Sequence, residues 1–73
     1  MAEAFLARKA DDCQRRMNQS NDPQAWPALA VLRDMWIELL KQSDSMSSRQ
    51  LANEITAIEE MASAANRFLA RHQ

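Results

Sequence analysis

Apolar residues recur along this chain at helical spacing in three separate stretches. In the first, Leu6, Ala10, Cys13 and Met17 follow one another at intervals of 4, 3 and 4. At about 100° per residue those intervals keep all of them on one narrow stripe. Arg8, Lys9, Asp11, Asp12, Arg15 and Arg16 fill the rest of the circumference. The pattern predicts a helix over about 3–18, with Arg15 and Arg16 near its C-terminal end, where positive charge suits the helix dipole.

The segment SNDP then interrupts the pattern. Asp22 is a candidate N-cap, and Pro23 suits the first helical position, which needs no N–H donor. A second helix is expected over about 23–42, with Pro27 near the end of its first turn; either Pro23 opens it, or 23–26 is a loose turn and the regular helix begins near Trp26. Its sequence WPALAVLRDMWIELL, residues 26–40, is apolar around most of the helix. Asp34, Glu38 and Lys41 form one thin polar strip, and Val31 borders it. Ala28, Leu29, Leu32, Met35, Trp36, Leu39 and Leu40 cover the rest, with Arg33 inside the apolar arc.

The third stretch has the clearest start. Ser47 stands three residues before Gln50, the spacing of a capping box, and Met46 and Leu51 flank it as a hydrophobic staple. Leu51, Ile55, Ile58, Ala62, Ala65 and Leu69 then repeat at 4, 3, 4, 3 and 4, with Met61 and Phe68 widening the face. The helix is expected over about 48–71, with Arg67, Arg71 and His72 at its C-terminal end. The absence of glycine removes the commonest hairpin turns and helix C-caps, which strengthens the all-helical reading.

Short connections imply that successive helices run antiparallel. The expected fold is an all-α antiparallel three-helix bundle, one domain over 1–73, with the second helix in the centre. A chain of 73 residues has a small core and benefits from a staple such as a disulfide, a metal or an oligomer. Cys13 is the only cysteine, so no internal disulfide can form, and His72 is the only histidine, so no Cys/His metal cluster exists. Oligomerisation or unusually good packing remains. The arc of the second helix is wider than one narrow and one medium stripe can cover, so it is the expected self-association or partner surface. The candidate interaction residues are Trp26, Val31, Arg33, Met35, Trp36 and Leu39. Arg33 has two readings: its stem lies over apolar surface, or it pairs across a helix interface with Asp11 or Asp12 or with a second subunit. The tryptophans are core residues or interface anchors.

Charge and chemistry narrow the function classes. The formal net charge is −1, with both signs interspersed, whereas a chain that works by neutralising phosphate carries a basic surplus. Without glycine there is no Gly-rich phosphate loop. Arg33, Asp34 and Glu38 interrupt the richest apolar run, so no membrane span is expected, and MAEAFLARKADD does not read as a signal peptide. A cytoplasmic protein is expected. The Asp11-Asp12 and Glu59-Glu60 neighbours diverge by about 100° on a helix and are not preset carboxylate pairs. Cys13 reads as a small buried hydrophobe, and no catalytic group, metal, cofactor or small-molecule ligand is called for.

Residues 46–55, MSSRQLANEI, resemble the first helix of a helix-turn-helix of the Trp-repressor type, preceded by IELLKQSD over 37–44. That resemblance implies a DNA-binding regulator using residues 46–69. A helix-turn-helix needs a sharp break after about eight residues. Here the heptad spacing continues through TAIEEMASAANRF, and Glu59 and Glu60 would repel phosphate. Phe5, Ala10, Cys13, Asp22, Pro23, Leu29, Leu32 and Trp36 together resemble a group of short helical proteins found mainly in alphaproteobacteria. The chain departs from that group at Asp12, where glutamate is usual, and at Trp26-Pro27. The resemblance spans about 5–40 and implies a helical hairpin with Cys13 and Trp36 inside its packing; it brings no activity.

Overall fold

The computed structural model describes residues 2–71. The chain forms three α-helices: α1 (Ala2–Gln19), α2 (Ala25–Gln42) and α3 (Ser48–Arg71), with a single 3-10 turn at Ser43–Ser45 before α3. Expectations for the side chains of Leu69 and Arg71, and for His72, fall outside the described set.

Each boundary follows from local chemistry. At the end of α1, Ser20 N–H donates to the Met17 carbonyl. The Asp22 carboxylate accepts the Gln24 N–H at 3.0 Å, and the Asp22 carbonyl accepts the Ala25 N–H at 3.1 Å. Asp22-Pro23 thus builds a tight turn, and the regular helix begins at Ala25, close to the later of the two starts the sequence offered and not at Pro23. Pro27 consequently falls in the first turn, where its missing donor costs no intrahelical bond.

Without glycine, α2 ends by another device. The Ser43 N–H and the Ser43 hydroxyl both donate to the Leu40 carbonyl, and the Ser45 hydroxyl donates to the Gln42 carbonyl. Met46 is extended, with φ −105° and ψ 146°, and breaks the helical path. Ser47 then closes the expected capping box. Its hydroxyl accepts the Gln50 N–H at 3.1 Å, while the Gln50 side chain accepts the Ser47 N–H at 3.0 Å. From Ser48 to Arg71 the helix is continuous, so residues 46–69 contain no second turn of the helix-turn-helix kind.

α2 is the central helix. α1 runs antiparallel along it, with Phe5 against Trp36 at one end and Met17 against Trp26 at the other. The main core cluster joins Leu6, Ala10 and Cys13 of α1, Leu32, Trp36 and Leu39 of α2, and Ile58 of α3. A smaller one, Met17, Ala25 and Leu29, contains no α3 residue among those described. The molecule measures 39 × 20 × 15 Å, and its radius of gyration is 12.8 Å. A compact chain of this length would have about 11 Å. The elongation reflects α3, whose length is about 36 Å at 1.5 Å per residue.

Candidate interaction surface

The six residues singled out from the sequence lie in different environments. Trp36 is 2% exposed and Leu39 is buried, both within the chain's own core. Trp36 meets Phe5 edge-on, with ring centroids 6.2 Å apart. The Lys9 ammonium lies 5.3 Å from the Phe5 ring and 5.9 Å from the Trp36 ring, and 3.7 Å from a Glu59 carboxylate oxygen. One side chain of α1 therefore ties the aromatic pair to α3.

Trp26 is 45% exposed, yet its indole N–H donates to the Met17 carbonyl at 2.9 Å. That carbonyl belongs to the last turn of α1, where backbone acceptors lack intrahelical donors, so the indole helps close the hairpin. Arg33 is half-buried and works inside the hairpin too. It donates to Gln14 Oε1 at 2.7 Å and pairs with Asp34 at 3.0 Å. Pairing with Asp11 or Asp12 does not occur, because both carboxylates turn to Arg15 on their own helix. The (i,i+3) and (i,i+4) spacing makes that the shorter reach.

Val31 is exposed on α2, and Met35 packs at the edge of the main core beside it. Val31 is 58% exposed and sits one turn before half-buried Met35. Met35 lines a shallow groove of about 290 Å³ between α2 and α3, with Leu39, Met46, Ala57, Ile58 and Met61, and with Glu38, Gln42 and Glu54 as its polar members. Met61 is 44% exposed and Phe68 57%. The sequence reading placed both on the core face of α3; they stand instead on its outer flank. The signal was present. Ala57, Met61, Ala64 and Phe68 are spaced 4, 3 and 4, a second stripe beside the one that faces the core.

A second groove, of about 440 Å³, separates α1 from α3. Cys13, Leu32 and Trp36 are among its apolar lining, with Lys9, Asp12, Arg15, Arg16, Glu59, Ser63 and Asn66 around them. Its charges are mutually engaged: Lys9 with Glu59, Arg15 with Asp12, and Arg16 with Asn66 Oδ1 at 3.1 Å. Burial pushes the Cys13 thiol above its usual range, against the opposing pull of Arg16 and Lys9. A thiol shifted that way is protonated and unreactive at neutral pH. Among the described residues no cluster of three His, Cys, Asp or Glu side chains is placed to hold a metal ion, and no helix is long and apolar enough to cross a membrane.

Comparison with protein-family models, with curated proteins and with solved structures finds no match to this chain. The outer flank of α2 and α3 exposes Val31, Met61 and Phe68.

Proposed function

We propose that this protein is a small interaction module, acting by binding rather than catalysis, and that it self-associates through the flank where α2 adjoins α3. The observation that carries this reading is the exposure of Val31 and Met61 on either side of half-buried Met35. Large apolar side chains clustered on one exposed face mark a contact surface. The small core of so short a chain adds to the reading, because burial between subunits supplies stability that one chain of this size lacks. The groove between α1 and α3 is a weaker candidate, since its cations already have acceptors within the chain.

Light scattering over a range of concentrations tests the proposal. The wild-type chain is expected to have dimer mass that falls toward monomer mass on dilution. Val31→Asp places a charge on a side chain that the fold leaves exposed, so it should give a helical monomer at every concentration. A wild-type chain that stays monomeric throughout would overturn the reading.

A further inference from the structure

We infer that the partner on this flank is a second copy of the chain, with α3 packed antiparallel on the partner's α3 about a two-fold axis beside residues 62 and 63. The inference rests on the self-association proposed above and adds the helix, its direction and its register.

The stripe Ala57, Met61, Ala64, Phe68 alternates small and large side chains, all exposed. It lies roughly a quarter turn around α3 from Ile58 and Ala65, which face the core. A helix can therefore lie along it while α3 keeps its seat on α2. In a parallel, in-register pairing Phe68 would meet the partner's Phe68, and Ala57 would face the partner's Ala57 across a gap. The antiparallel register sets Phe68 on the partner's Ala57 and Met61 on the partner's Ala64. Each layer then holds one large and one small side chain, which fills the interface evenly. The two-fold makes the surface self-complementary, as the commonest dimers are.

Charge selects the same arrangement. Glu60 and Arg67 both stand on the exposed edge of the stripe, away from α2, and are seven residues apart. The antiparallel register brings Glu60 to within about 3 Å, along the helix axis, of the partner's Arg67, and the two-fold repeats that pair. Parallel pairing would put the two copies of this edge on opposite sides of the interface and would form no such pair. The opposite edge of the stripe turns toward α2, so the incoming helix would also cover Met35 and Val31. Exposed Val31 and the uncovered part of Met35 thereby gain an occupant.

Charge exchange in the full chain tests the register. The dimer dissociation constant is measured by dilution for wild type, Glu60→Arg, Arg67→Glu and the double variant, with circular dichroism confirming that each is folded. Each single change replaces attraction with repulsion at two symmetric places and should weaken pairing about threefold to tenfold, whereas the double variant restores both pairs and returns to the wild-type value. A dimer whose double variant is no tighter than the singles, or one that ignores all three changes, would overturn the antiparallel register while leaving self-association standing. A wild-type chain that is monomeric at every concentration would overturn both.

Discussion

α1 and α3 both pack against α2, and they differ in how much of their apolar surface they bury there. Every member of the α1 stripe, Leu6, Ala10, Cys13 and Met17, is buried. On α3, Ile58 is buried, while Leu51, Ile55, Ala62 and Ala65 are half-covered and Met61 and Phe68 face outward. Polar anchors follow the same division. The hairpin of α1 and α2 is tied by Trp26 to the Met17 carbonyl and by Arg33 to Gln14. α3 is tied to α1 at the surface, through Lys9–Glu59 and Arg16–Asn66. The poorer stripe is thus the better buried one. Apolar content measures how much surface a helix has available for burial, while the neighbours decide how much of it is covered.

Substitutions can break this comparison, and the core contrast is the largest effect. Trp36→Ala removes the side chain on which α1, α2 and the Lys9 contact converge, and is expected to cost about 3–5 kcal/mol. For a chain of this length, total stability of about 4–11 kcal/mol is typical, so the loss removes a large share of it. Ile58→Ala should cost about 2 kcal/mol, the low end for such a truncation, because a half-covered neighbourhood can relax into the space. Urea unfolding of the two variants measures the difference. Equal losses would mean that α3 is seated as firmly as α1.

A smaller effect sharpens the view of α3. Ser47→Ala removes the acceptor for the Gln50 N–H and should cost about 1 kcal/mol, with helicity lost first at the start of α3. An unchanged unfolding midpoint would show that the capping box does not hold this helix end. The smallest effect probes the buried side of α1. Because burial raises the Cys13 pKa, the folded chain holds that proton more tightly than the unfolded chain does. The associated stability is complete at neutral pH and is lost as pH climbs from the ordinary thiol value through the raised one. The wild type should therefore lose stability relative to Cys13→Ala between about pH 7 and about pH 10, read from urea midpoints. Parallel curves for the two proteins would contradict the burial of this thiol.

Much of the fold was legible because it depends on neighbours in sequence. The SNDP break, the Ser47-Gln50 box and the stripe from Leu6 to Met17 are short-range chemistry, and each lies where the pattern put it. The start of α2 was open between Pro23 and Trp26 in the sequence, since Asp22 and Pro23 form a turn as readily as a first helical turn; the turn is what forms. The candidate surface was only half legible. Val31 and Met35 were named, but Met61 and Phe68 were assigned to the core because their stripe adjoins the one that does face α2.

What the sequence by itself determined is which residues share a helix, where each helix begins and ends, and which side chains share a face. Those follow from the helical repeat, from caps and from breakers acting within a few residues. Tertiary structure decided which of the adjoining apolar faces is covered. It sent Arg33 to Gln14 and Asp34, made Trp26 a fastener for the end of α1, buried Trp36 under Phe5 and Lys9, and left Met61 and Phe68 outward. The physical reason is that periodicity records angles around a single axis, whereas burial depends on where a second axis lies, and that distance and direction are properties of no one helix.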